Sequence, residues 1–189
     1  MTILSKVTFT QLLKRPTAFL AYGFGSGLAP KAPGTFGTLA AIPVFYLMQP
    51  LPIISYLLLT ALLFVLGVWF CQKTVDWLQQ DDPSAIVWDE IVGYLITMLA
   101  APSGWLWIVL GFVLFRLFDI LKPWPVSLAD KKLHGGFGVM LDDVIAGLYA
   151  LLVLQLIEIG VMHLLVSHWS ATAAWILFAL GVWGLLFTI

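Results

Sequence analysis

From Ile53 to Cys71 the chain reads IISYLLLTALLFVLGVWFC, without one charged side chain. A stretch of this kind constrains the fold more than any other feature of the sequence. In hydrocarbon there is no water to satisfy backbone N–H and C=O groups, so the segment satisfies them internally as a helix. About 20 apolar residues are needed to cross a bilayer. Further candidate spans are Thr38–Met48, which is short, Ile86–Ala101, Gly104–Leu121, Val144–Leu164 and Ala174–Ile189. The whole chain agrees with this reading. It is 61% hydrophobic and only 10% charged, against roughly 25% charged residues in soluble domains. The expectation is therefore an all-α, polytopic integral membrane helical bundle of about five to six membrane segments. No repeat or low-complexity linker divides it, so residues 1–189 are read as a single domain.

Charge is distributed unevenly along the chain. Gln49–Pro52, Ala101–Gly104 and Ser167–Thr172 contain no Lys, Arg, Asp or Glu. The N-terminal arm, Lys73–Glu90 and Arg116–Asp143 contain all the Lys and Arg, and every acidic residue except Glu158. Basic residues resist translocation and collect on the cytoplasmic side. Both termini and both charged connections are expected there. The N-terminal segment Met1–Gly37 is mixed and basic, and has no continuous apolar core of the kind a secretory signal requires. Glu158 falls about four turns into its helix, near the far interface, where snorkelling or pairing with His163 accounts for it. Cys71 is the only cysteine. It sits inside an apolar run and is read as structural. A net charge of −1 gives no electrostatic basis for nucleic-acid binding.

Four stretches carry potential chemistry. In VWDEIVGYL, Val87–Leu95, Asp89 and Glu90 precede an apolar helix, where acidic side chains also serve as caps. In FRLFDILKPWP, Phe115–Pro125, the residues Arg116, Asp119 and Lys122 are spaced three apart, broadly along one helix face. Pro123 and Pro125 stop that helix. The spacing suits an interfacial ion-pair ladder, and equally a site for a phosphate and a metal. Asp142 and Asp143 follow the glycine-rich HGGFG of His134–Gly138. Adjacent helical positions point about 100° apart, so a shared target requires both to lie at a non-helical helix start. There one caps while the other binds. Finally, YGFGSGLAPKAPGTFGT, Tyr22–Thr38, offers Lys31, Thr35 and Thr38 in a Gly/Pro-rich loop. It suits a simple interfacial turn or an anion cradle, and matches neither a P-loop nor a dinucleotide fingerprint.

By this topology the acidic clusters share one membrane face. They repel unless neutralised, and Mg²⁺, a hard oxygen-seeking ion, is the economical partner. With only three histidines, His134, His163 and His168, a His-rich zinc site is not expected. A multi-span transporter with an interfacial acidic cation site is the alternative, although transporters place their polar groups near the midplane. The DG…AR…G…D…D pattern of CDP-alcohol phosphotransferases is absent, as are HExxH and GxSxG.

Together, APKAPGTFGT, VWDEIVG, FRLFDILKPWP and GGFGVMLDDVIAG resemble the bacterial phosphatidylglycerophosphatase A family, in the family's order from about Gly23 to Ala150. The resemblance implies a Mg²⁺-dependent phosphatase of the bacterial inner membrane. Such an enzyme converts phosphatidylglycerophosphate to phosphatidylglycerol and phosphate at the cytoplasmic face. It implies Glu90, Asp119, Asp142 and Asp143 as catalytic residues. Asp89, Glu90, Asp119, Asp142 and Asp143 are the implied metal-ligand set. Arg116, Lys122, Lys31 and Thr35 are expected to hold phosphate. His134 is not a position the resemblance demands.

Overall fold

A computed structural model describes residues 7–80, 83–126 and 134–186, with side chains beyond residue 164 outside the described set apart from Thr172. Among the described residues all regular structure is helical. The helices are α1 (Phe9–Leu13), α2 (Pro16–Ala21), α3 (Pro33–Met48), α4 (Ile53–Leu78), α5 (Trp88–Thr97), α6 (Trp105–Leu121) and α7 (Gly135–Leu186). A 3₁₀ segment, Gly23–Leu28, joins α2 to the approach of α3. Chain contacts separate two compact units, Met1–Leu154 and Gln155–Ile189. The first unit carries the core and the site.

The helix limits follow from local chemistry. α3 starts at Pro33, whose fixed φ suits a first helical position, after Ala32 in left-handed backbone (φ 49°). It thus extends back beyond the short span Thr38–Met48 expected from sequence. α6 begins after Gly104, whose φ of 129° requires glycine, and stops at Lys122 before Pro123. Among the described residues two helices, Ile53–Leu78 and the stretch Gly135–Leu164 of α7, are long and apolar enough to cross a membrane. α5 differs from the expected span Ile86–Ala101: its ten residues rise about 15 Å, half a bilayer core. Its first charged turn begins only at Trp88, and the chain turns away after Thr97.

The short helix is the centre of the unit. Trp88, Ile91, Val92, Gly93, Tyr94, Leu95 and Thr97 are all buried. α5 packs on α3, α4 and α6. The uncharged polar side chains that anchor it to its neighbours are paired, as a dry interior requires. Trp88 Nε1 donates to the Leu63 carbonyl (3.1 Å), Tyr56 OH to the Leu95 carbonyl (2.7 Å) and Tyr94 OH to the Ile108 carbonyl (3.1 Å). By contrast, the faces of α4 and α6 turned away from this core expose large apolar side chains such as Ile54, Leu58, Trp69, Leu106 and Val113.

The glycine-rich segment supports the entry to α5. A Cβ on Gly27 would lie 2.0 Å from the Ala85 carbonyl oxygen, so only glycine fits there. Val87 N–H donates to the Ala21 carbonyl (2.9 Å). α7 also departs from expectation. It begins at Gly135, nine residues ahead of the Val144 start read from hydropathy, and its backbone stays helical through Ser167–Thr172. No Gly or Pro interrupts His163–Ala174, so nothing local breaks the helix there. The final expected span, Ala174–Ile189, has its side chains and last three residues outside the described set.

Candidate active site

α5 and α7 meet where neither has a side chain. A Cβ on Gly147 would stand 2.5 Å from the Gly93 carbonyl oxygen, and one on Gly93 would stand 2.8 Å from the Asp143 carbonyl oxygen. Thr97 Oγ1 donates to the Gly93 carbonyl (3.0 Å) and reaches the Gly147 carbonyl (3.4 Å). This close crossing brings the first turn of α5 beside the early turns of α7. As a result Asp89, Glu90 and Asp143 each place a carboxylate oxygen within 4.8 Å of the other two.

The start of α7 is fixed separately. Gly136 N–H donates to Gln72 Oε1 on α4 (2.8 Å), and a Cβ on Gly136 would meet the Val68 carbonyl oxygen at 2.3 Å. The glycines before the aspartates therefore serve close packing of α7 on α4. Asp142 and Asp143 consequently sit inside a helix, not at its non-helical start. Their 100° divergence then gives them different partners. Asp143 turns to Asp89 and Glu90. Asp142 accepts a hydrogen bond from Lys122 Nζ at 2.7 Å.

These groups line a cavity of about 370 Å³ between α5, α6, α7 and the first turn of α3. Its wall includes Asp89, Glu90, Arg116, Asp119, Lys122, Asp142 and Asp143. Arg116 NH1 donates to Asp119 Oδ2 one turn on and lies 3.7 Å from Glu90 Oε1. Asp119, Asp142 and, at longer range, Glu90 thus each face a cation. Around the trio, single oxygens are differently served. Asp89 Oδ1, Glu90 Oε2 and Asp143 Oδ2 are buried and lack a hydrogen-bond partner, although Asp143 as a whole is only 3% exposed. Leaving a buried carboxylate oxygen unpaired costs several kcal/mol unless a proton or cation answers it. The donors are all carboxylate oxygens, which suits a hard divalent cation and not a soft one.

Of the sequence candidates for phosphate, Arg116 and Lys122 line the cavity, whereas Lys31 and Thr35 do not. None of Tyr22–Lys31 lines it either; the wall on that side starts at Ala32, Pro33 and Gly34. The Gly/Pro-rich loop acts as support for α5 and as the lead into α3. His134 and Ser84 are lining residues that sequence reasoning left without a role. Ile120, next to Asp119, lines the cavity and is also 67% exposed, so the rim reaches the outer apolar face of α6. Glu158 lies in the second unit, beyond Leu154. Cys71 is a buried free thiol.

A family model described as phosphatidylglycerophosphatase A matches residues 19–158. The chain belongs to the phosphatidylglycerophosphatase A family. That match contains every lining residue of the cavity. Among curated relatives, phosphatidylglycerophosphatase A of Escherichia coli K12 is 43% identical over 158 residues, covering 83% of this chain and 87% of the relative. Phosphatidylglycerophosphatase A of Haemophilus influenzae is 49% identical over 148 residues, covering 77% of this chain and 91% of the relative. A protein named putative phosphatidylinositol-3-phosphatase, from Bacteroides thetaiotaomicron, is 42% identical over 156 residues, covering 75% and 95%. No solved structure matches the chain.

Proposed function

We propose that this chain is a Mg²⁺-dependent lipid phosphatase that hydrolyses phosphatidylglycerophosphate to phosphatidylglycerol and phosphate, at the cytoplasmic face of a bacterial inner membrane. The observation that carries the reading is the trio of carboxylates, each with a buried, unanswered oxygen, next to an arginine and inside the family-matched region. The concentration of Lys and Arg in three segments supports the orientation. The long charge-free runs support a single membrane-embedded domain.

Asp89, Glu90 and Asp143 hold the cation in this reading. When bound, Mg²⁺ neutralises phosphate charge and stabilises the leaving oxygen. Arg116 offers the planar fork that matches two phosphate oxygens. To do so it loosens its contacts with Asp119 and Glu90, which orient it beforehand. Lys122 supplies a second positive charge from the paired wall. Its partner Asp142 is the carboxylate on that wall placed to accept, at Oδ2, the proton that an attacking water gives up. Asp119 keeps Arg116 from collapsing onto the trio. Lys31 and Thr35 are assigned no direct phosphate contact. The nucleophile is either water or a cavity aspartate. Borohydride trapping during turnover distinguishes them, because a labelled aspartate eliminates direct attack by water.

The test is phosphate release from phosphatidylglycerophosphate by purified protein with Mg²⁺ or chelator, for wild type, Asp119→Asn and Asp142→Asn. Strong Mg²⁺ dependence and large losses in both variants are expected. Full activity in chelator sinks the metal assignment. The relative named putative phosphatidylinositol-3-phosphatase favours a second substrate reading, in which any accessible lipid phosphomonoester, phosphatidylinositol-3-phosphate among them, is accepted. Running that lipid in parallel decides how strictly the head group is read. The transporter alternative gains no support: the charged cavity is walled by phosphatase-family motifs, and no relative matched above is named as a transporter.

A further inference from the structure

The first turn of α3 lies against the charged pair at the heart of the cavity, and the contact is made by a residue with no side chain. A Cβ on Gly34 would stand 2.1 Å from Glu90 Oε1, 2.9 Å from Arg116 NH1 and 3.2 Å from Arg116 NH2. Real Cβ atoms do not approach other atoms to 2.1 Å, so in an alanine variant the carboxylate must move. Thr38 Oγ1 donates to the Gly34 carbonyl (2.9 Å), which ties this turn down. α3 itself packs closely on α5, so the backbone is the less yielding partner.

We infer that Gly34 is a positioning residue for the site: its bare Cα sets where Glu90 and Arg116 come to rest. The inference rests on the cation reading of Asp89, Glu90 and Asp143 given above. The atoms in the way are the ends of flexible side chains, so the fold can absorb a methyl group. The site cannot absorb it equally well. Glu90 has Asp89 and Asp143 within 4.8 Å, and Arg116 is held by Asp119. Any retreat of Oε1 from Gly34 therefore changes the spacing of the trio, and any retreat of the guanidinium alters its bond to Asp119. Gly34 also carries no unusual backbone angle that an alanine would strain, and it sits at the start of a helix, where alanine is a better helix former than glycine. A purely structural role thus predicts an unharmed or slightly stabilised variant. A positioning role predicts a folded protein with a damaged cation site.

The experiment uses the full chain in detergent and Mn²⁺ as the probe, read by electron paramagnetic resonance, beside thermal unfolding without metal and phosphate release. Gly34→Ala is expected to weaken Mn²⁺ binding roughly 10- to 100-fold, the range seen when residues supporting metal ligands are changed. Metal-free unfolding should be unchanged. Gly160→Ala is the control, because among the described residues nothing outside its own helix backbone lies within 4 Å of the added methyl; it should leave both readings at wild-type level. Shortening the neighbour supplies the internal check. Glu90→Asp withdraws the carboxylate from the methyl, so the Gly34→Ala/Glu90→Asp double variant should bind Mn²⁺ no worse than Glu90→Asp alone. Wild type that binds Mn²⁺ and a Gly34→Ala variant that binds it equally well overturn the positioning role and leave the cation reading standing. Additive losses in the double variant overturn it as well. A wild type that binds no Mn²⁺ at all overturns the cation reading and this inference with it.

Discussion

The two walls of the cavity hold carboxylates in different settings: close ion pairs on one, a crowded trio touched by a cation only through Glu90 on the other. On the α6 side Asp119 is bonded to Arg116, and Asp142, reaching across from α7, is bonded to Lys122. On the α5 side Asp89, Glu90 and Asp143 crowd together, each with an oxygen that no donor answers. The paired wall is already neutral and holds itself in place. The crowded wall brings three carboxylates together, and in the cation reading proposed above a divalent ion would relieve their repulsion. Sequence proximity does not decide membership, since Asp142 and Asp143 are neighbours and fall on different walls. What decides it is the direction in which each leaves α7.

This contrast can be broken experimentally. The largest effect should come from Asp143→Asn, which removes a proposed cation ligand from the crowded wall: activity should fall about a thousandfold and Mn²⁺ binding should disappear. Asp142→Asn should retain Mn²⁺ binding while activity falls by roughly 10²-fold, the scale of a lost proton-transfer group. If both aspartates abolish metal binding equally, the two-wall division is wrong. Gly147→Ala attacks the crossing that assembles the trio. Its methyl would press on the Gly93 carbonyl, so a loss of about 1–3 kcal/mol in unfolding free energy is expected, together with weaker Mg²⁺ protection against heat. The smallest change should come from Gln72→Ala. It deprives Gly136 N–H of its acceptor at a cost near 1 kcal/mol, visible as a lower midpoint of thermal unfolding with activity largely retained.

The helical class, the stop of α6 at Pro123 and the chemical content of the site were legible in the sequence because they are local. Pro123 lacks the N–H that would continue α6, and Arg116, Asp119 and Lys122 share a face by spacing alone. The division between Asp142 and Asp143 was not legible, because it depends on where α7 begins. Hydropathy starts that helix at Val144, whereas the packing of Gly136 on Val68 and Gln72 draws the start back to Gly135. Nor could spacing reveal that α5 is a short buried helix: Ile86–Ala101 is apolar enough to be read as a span, and only its burial among α3, α4 and α6 shows otherwise. The roles of Gly34, Gly93 and Gly147 are long-range contacts. Their only trace in the sequence is the identity of the residue, and that trace does not name the partner.

Ile120 belongs at once to the rim of the charged cavity and to the outer apolar surface. For a substrate dissolved in a bilayer, this means the encounter takes place in two dimensions. The quantity that sets the rate is then the mole fraction of substrate among its neighbouring lipids, and diluting it with inert lipid or detergent should slow turnover even when its bulk concentration is held constant.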